Sequence, residues 1–402
     1  MRDPHKHHTA GRELAFRRGS APAPVPRRSD AHADITACRA ILEGLGQGQR
    51  MTQADAEQLL ATPAILNEVG RDAGAWAREH TGDIITYCVD TNISYTNVCD
   101  VYCRFCAFWR TPGAPDAYVL TPARLRHKVS TAVAAGATQI LLQGGHNPAL
   151  GIEWYEAMLQ DLKGAFPSLQ LHALSPSEIH HIRQVSGCSL RETLSRLHAA
   201  GLDSLPGGGA EVLSDEVRDH QSIRKMSADQ WLEVHKVAHQ EGLRSTATMM
   251  FGTVDLPRHR TEHLQRLRTL QDQTGGFTAF ICWTYQQGPT VMEGNGATGV
   301  DYLLTSAVAR LFLDNIANLQ ASWPTQGPAM GQVALWYGAN DFGSTLLEEN
   351  VVSAAGALHR MDEAAIVRAI QGAGFIAAKR TTLYDILHVH PSPTEPLLGS
   401  KA

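Results

Sequence analysis

The sequence predicts an α/β fold: a closed (β/α)8 barrel of the TIM type, preceded by helices and followed by a short extension. Three observations lead there. Short apolar runs alternate with helical patterns about eight times between residues 84 and 345. Repeated strand–helix units argue for a parallel sheet, and about eight in one run argue for closure into a barrel. The helical patterns start at Ser, Thr or Pro and stop at Gly, so each unit is cleanly punctuated.

Taken in order, residues 1–30 are rich in His, Arg, Pro and Ser and are read as a disordered, solvated tail or an overlong start. No apolar run follows their arginines, as a secretory signal would need. His5, His7 and His8 would bind metal only adventitiously. Residues 31–83 form an N-terminal helical segment. Ile35, Cys38, Ile41 and Leu42 recur at helical spacing, Thr52 caps a second helix, and Thr62-Pro63 opens a third. This segment is expected to pack across one end of the barrel.

The barrel occupies residues 84–345. A first strand at 84–89 runs on through polar residues 92–97 into a loop with three cysteines. Thr121-Pro122 opens a helix closed by Gly136. Residues 139–143 are apolar enough for a buried parallel strand, which ends in Gly144-Gly145. A helix at 154–166 and a strand at 169–174 follow. Ser175-Pro176-Ser177-Glu178 is a capping box with proline in the first turn. A helix at 190–200 leads to a strand at 203–205 and to the loop Pro206-Gly207-Gly208-Gly209-Ala210-Glu211. Further strands are expected at 246–251, 277–284, 319–323 and 333–337, with helices at 227–240, 263–270 and 302–316 between them. Residues 346–402 form a C-terminal extension, with a helix at 362–371 and an extended segment near 381–386.

Of the 402 residues 43% are hydrophobic and 19% charged, an ordinary globular composition. The net charge of −5 gives no basic footprint for nucleic acid. No apolar run is long enough for a membrane span, which takes roughly 20 residues.

Chemistry concentrates in Cys99, Cys103 and Cys106, spaced C-x3-C-x2-C, with Phe105 just before the last. Thiolates this close wrap one metal centre at a small loop-closure cost. They supply three ligands. An iron–sulfur cube with three cysteines keeps one iron open, whereas closed clusters take four. A structural zinc site also wants four ligands, commonly from two CxxC pairs. Here only Cys103 and Cys106 make such a pair, and Cys38, Cys88, Cys188 and Cys282 are isolated. A disulfide framework does not suit a long chain with seven cysteines and no secretory signal. A labile iron–sulfur centre needs a reducing compartment, so the protein is expected in the cytoplasm.

Catalytic residues of such barrels sit at the carboxyl ends of the strands. Gln143, Gly144 and Gly145 follow strand two, Ser175 follows strand three, and Glu211 follows strand four. Tyr285 follows strand six, and Asn340 and Asp341 follow the expected eighth. Gly144-Gly145 lets backbone approach a ligand, or is an ordinary turn. Glu211 either binds a ribose hydroxyl or accepts a proton, or is a solvated loop acid. Ser175 is first a helix cap. The pairs His235/His239 and His259/His263 share the i, i+4 spacing of zinc proteases but lack the glutamate, so they are read as surface-helix residues.

The cysteine motif resembles that of the radical S-adenosylmethionine (SAM) superfamily. The segments NISYTNVCDVYCRFCAF, LLQGGHNP, HALSPSEI, LPGGGAEVLSDEVR, TATMMFG and GANDFGSTLLEENVVSAAG narrow the resemblance. Over about residues 50–390 the chain is similar to the radical-SAM enzymes of the futalosine route to menaquinone, within them to the dehypoxanthine futalosine cyclase family. Asp255 after TATMMFG favours the cyclase branch over aminofutalosine synthase and FO-synthase-like enzymes. A zinc-stabilised binding protein is the non-enzyme alternative.

The resemblance implies a [4Fe-4S] cluster on Cys99, Cys103 and Cys106, with SAM on its open iron. It implies that Gln143, Gly144, Gly145, Ser175 and Glu211 line the SAM site. A 5′-deoxyadenosyl radical would take hydrogen from the substrate ribose, and ring closure onto a benzoate would follow. Glu211, Asp341 and Tyr285 are the candidates to orient substrate or take a proton, and Arg218 is a candidate partner for its carboxylate. The partners implied are dehypoxanthine futalosine and an electron donor such as a flavodoxin or ferredoxin. Two features depart from the family: the first 35 or so residues have no counterpart, and Cys282, expected near the substrate pocket, replaces a proline.

Overall fold

The computed structural model describes residues 28–391, apart from 293, 295 and 358. The tail read as disordered, with His5, His7 and His8, lies outside the described residues but for its last three positions. Helices α1 (Arg28–Gly46), α2 (Gln53–Leu60) and α3 (Leu66–Thr81) come first. Thr52 and Asp55 form a reciprocal capping box on α2. Arg50 bridges Asp272 and Asp314, and the Arg268 guanidinium donates to the Met51 carbonyl at 2.8 Å. The segment is thereby tied to the amino-terminal side of the strands, the floor of the barrel.

Eleven strands follow: β1 (Ile84–Cys88), β2 (Asn92–Ser94), β3 (Gln139–Gln143), β4 (Gln170–Ala173), β5 (Ser204–Leu205), β6 (Arg244–Phe251), β7 (Phe277–Thr284), β8 (Asn318–Gln320), β9 (Asp341–Ser344), β10 (Ile376–Arg380) and β11 (Ile386–Val389). They form one sheet in the order β11-β10-β1-β9-β8-β7-β6-β5-β4-β3-β2. All pairings are parallel except β10 with β11. Helices cover the outer face, among them α4 (Pro122–Ala134), α5 (Ile152–Ala165) and α6 (Pro176–Ser186).

The sheet closes through the stretch that joins β1 to β2. On one side Leu347 N–H donates to the Asp90 carbonyl at 3.0 Å and Asn92 N–H to the Glu348 carbonyl at 2.8 Å. On the other, Leu141 N–H donates to the Thr91 carbonyl at 3.0 Å. The chain that leads into the cysteine loop is therefore the staple of the barrel, bonded to the end of β9 and to β3 at once. Below it β10 lies beside β1, and Thr382, just beyond β10, donates to the Gln139 side chain on β3 at 2.5 Å.

One expected strand is corrected. Residues 333–336 end the helix Pro328–Trp336, which has proline in its first turn, Tyr337 caps it, and the strand is β9. A short apolar run cannot be told from a buried helix by periodicity. In consequence Asn340 and Asp341 stand at the start of the last barrel strand instead of after it. Among the described residues no helix is long and apolar enough to cross a membrane.

Candidate active site at the barrel mouth

The cysteine loop hangs from main-chain bonds to three neighbours. Cys99 N–H donates to the Arg110 carbonyl at 3.0 Å, Asp100 N–H to the His146 carbonyl at 3.1 Å, and Arg104 N–H to the Gln221 carbonyl at 3.0 Å. The Ser222 hydroxyl donates to the Val101 carbonyl at 2.6 Å and the Trp109 indole to the Cys103 carbonyl at 3.1 Å. Tyr102 turns the chain with φ +55°, a left-handed conformation that a non-glycine residue adopts only under such constraint.

The three thiols lie within electrostatic reach of one another, and all seven cysteines are free. Burial pushes Cys103 up to about 12, with Lys225 pulling the other way, and burial raises Cys99 and Cys106 as well. Thiols held this way ionise against a metal centre, which deprotonates its ligands outright. Three thiols on one partly open loop, with none of the other four cysteines beside them, fit a cluster with three protein ligands and one open iron.

Behind the loop, Gly145 has no room for a side chain. A Cβ there would stand 2.2 Å from the Val98 carbonyl oxygen and 2.8 Å from the Cys99 Cβ. A Cβ on Gly144 would meet the Tyr95 ring at 2.6 Å. The Gly144 N–H donates to Glu178 Oε1 at 2.8 Å, and the Tyr95 hydroxyl donates to the same oxygen at 2.6 Å. Glu178 Oε2 accepts from Ser175 N–H at 2.8 Å and from the Ser175 hydroxyl at 2.6 Å. Glu178 is thus the unpredicted pivot of the site. Its sequence signal was the capping box, which explains one of its oxygens and not the other. Ser175 is a cap whose hydroxyl is already engaged. The Gln143 amide reaches the same place: a Cβ on Gly208 would lie 2.4 Å from its Nε2 and 3.1 Å from the Ser175 Cβ.

Glu211 follows the glycine loop with φ +41° and is ion-paired to Lys225, whose side chain is 3% exposed. Lys225 also lies 5.5 Å above the Phe105 ring, so a cation sits beside the cysteines. Nothing in the sequence singled it out, because only the fold brings it back to the loop. Tyr285 packs with Met250, Met292, Phe105 and Trp283 into an apolar wall beside the loop. Its hydroxyl meets that of Thr290 and donates to the Met292 carbonyl at 3.0 Å.

Other candidates lie elsewhere. Asp341 is buried inside the barrel, paired with Arg380 through both oxygens at 2.5 and 3.0 Å, and it accepts from the Thr86 hydroxyl. Arg218 is buried with its guanidinium donating to the carbonyls of Gly209, Ala210 and Met226, so it shapes the glycine loop instead of facing a substrate. The histidine pairs are not surface residues: His235, His259 and His263 are buried, and the half-buried His239 bonds Thr274 and Ser245 at 2.7 Å each. Cys282 sits in the core on the helix side of β7, near Ser306, while Ile281 and Trp283 face the lumen, so it does not shape the pocket.

The Radical SAM superfamily model matches residues 93–267, and the model of the CofH/MqnC C-terminal region matches residues 274–392. The chain is 44% identical over 348 residues to the cyclic dehypoxanthine futalosine synthase of Halalkalibacterium halodurans, covering 86% of this chain and 94% of that one. It is 39% identical over 359 residues to the 5-amino-6-(D-ribitylamino)uracil–L-tyrosine 4-hydroxyphenyl transferase of Methanopyrus kandleri, covering 87% and 96%. In fold it is similar to the FeFe-hydrogenase maturase HydG from Carboxydothermus hydrogenoformans, at TM-score 0.70 and 16% identity, covering 88% and 82%. The chain belongs to the radical SAM superfamily, in the family that holds the cyclic dehypoxanthine futalosine synthases.

Proposed function

We propose that this protein converts dehypoxanthine futalosine to cyclic dehypoxanthine futalosine, a radical-SAM ring closure in menaquinone biosynthesis. The observation that carries it is the three-cysteine loop beside an apolar wall, in a chain most of whose length matches a synthase of that name. When bound, a [4Fe-4S] cluster with SAM on its open iron supplies a 5′-deoxyadenosyl radical by one-electron cleavage of the sulfonium.

Cys99, Cys103 and Cys106 hold the cluster. The turn Gln143-Gly144-Gly145 and Ser175 line the SAM side, with Glu178 fixing the turn. Lys225 sets a positive charge against the thiolates and against Glu211. Phe105, Met250, Trp283 and Met292 exclude water and pack the aromatic part of the substrate, since holding reactants in geometry is what the protein adds. Glu211 and Tyr285 are the groups we assign to orient substrate or to take the proton lost on rearomatisation, the electron released with it passing to a one-electron acceptor. Asp341, committed to Arg380, is not. The electron comes from a flavodoxin or ferredoxin, and the enzyme works in the cytoplasm.

The test is anaerobic turnover with reductant, SAM and dehypoxanthine futalosine. We expect 5′-deoxyadenosine and a product two mass units lighter than the substrate. 5′-Deoxyadenosine without that product, from cluster-loaded enzyme, would move the substrate to that of a sister enzyme.

A further inference from the structure

We propose a second metal site behind the cysteine loop, in which Asp100, His146 and His181 bind a divalent transition ion such as zinc or ferrous iron. Asp100 directly follows Cys99, His146 follows the Gly144-Gly145 turn, and His181 is on α6. One ligand atom from each lies within 4.8 Å of the others. The two imidazole rings are 4.8 Å apart, centroid to centroid. The Asp100 N–H bond to the His146 carbonyl at 3.1 Å fixes two of the three at the backbone.

One ring nitrogen of the group is buried without a partner among the described residues. His181 is 7% exposed, and its Nε2 is buried with no hydrogen-bond partner. A buried polar atom left so costs about 1–3 kcal/mol. The neighbouring cation Arg224 donates to the Asp100 main-chain carbonyl at 3.0 Å, and the carboxylate takes no hydrogen bond from the described residues. The Ser177 hydroxyl lies 2.9 Å from His146 Nε2. When it accepts from that nitrogen, Nδ1 is left as the lone pair, the orienting role that outer partners play for ligand histidines. Two imidazoles and one carboxylate suit zinc or ferrous iron. Magnesium and calcium would ask for oxygen ligands. Such an ion would pin the Cys99 end of the loop to α6, independently of the cluster.

The test uses full-length, cluster-loaded protein, so that iron occupies the thiols. His5, His7 and His8 are changed to Gln, so that the tail binds nothing. After equilibration with zinc and desalting, elemental analysis counts zinc and iron in one sample. We expect one zinc per chain beyond the cluster iron. Asp100→Asn and His181→Ala should each weaken zinc at least 100-fold, and Ser177→Ala about 10- to 100-fold. Asp100→Asn alters a partly exposed group and decides the matter if His181→Ala does not fold. No bound zinc at saturation, or equal zinc in the Asp100→Asn and parent proteins, overturns the proposal. A failure of the cluster itself would appear as missing iron.

Discussion

The Glu178 carboxylate holds the backbone N–H of Gly144 at 2.8 Å, coupling the first turn of α6 to the turn beside the cysteine loop. A helix cap thereby also holds the turn that we propose lines the SAM side of the site. Replacing Glu178 by Gln removes an acceptor from a group of four donors that are all buried or partly buried. We expect the unfolding free energy to fall by about 2 kcal/mol, the KM for SAM to rise, and the iron content to stay. Denaturant unfolding and initial rates measure the two effects. Loss of stability with an unchanged KM would separate Glu178 from the SAM site.

Gly145 is the counterpart on the cluster side. In Gly145→Ala the new Cβ would collide with the Val98 carbonyl and the Cys99 side chain, and neither is the free end of a flexible chain. The loop must move. Iron bound after anaerobic reconstitution should drop at least severalfold while the circular dichroism of the barrel is kept. Full iron loading in the variant would mean that the loop tolerates the shift.

Asp341→Asn tests a division of labour. The change leaves Arg380 buried without its ion partner, a loss of about 3–5 kcal/mol where a buried pair is broken. We expect a lower melting temperature, with turnover per folded molecule largely retained below that temperature. A base in the reaction would behave in the opposite way, with stability nearly intact and kcat collapsed.

Stability should also fall in mild acid. Burial pushes His172 and His263 down to about 3 and His239 to about 4, from 6.5. The unfolded chain therefore binds protons that the folded chain refuses. Stability from these groups is complete above pH 6.5 and is lost as the pH falls toward 3 to 4. At pH of about 5 each group withholds about 2 kcal/mol. The denaturant midpoint should drop between pH 7 and about 5, and His172→Gln should flatten that slope. A midpoint independent of pH over this range would show that these rings take protons without unfolding.

Local chemistry was legible in the sequence wherever it acts between near neighbours. Thr121, Ser175 and Ser227 cap helices at the expected places, and the cysteine spacing identified its loop. The strand after residue 333 was misplaced because a short apolar run has the same composition in a buried helix as in a strand. Asp341 moved with it, from the reactive rim to an internal ion pair. The histidine pairs were misjudged for a related reason. Spacing places two rings on one helix face but does not say whether that face is outward.

The sequence by itself determined most of the alternation of strand and helix, the helix caps at Thr121, Ser175 and Ser227 and the three-thiol loop, because these depend on residues a few positions apart. Only the tertiary structure decided what surrounds the loop. Glu178 reaches back across 34 residues to Gly144, Lys225 returns to Phe105 across 120, and residues 88–92 close the barrel between strands distant in the chain. Those pairings arise from burial and hydrogen bonding summed over the whole sheet, and no local pattern encodes which polar group meets which.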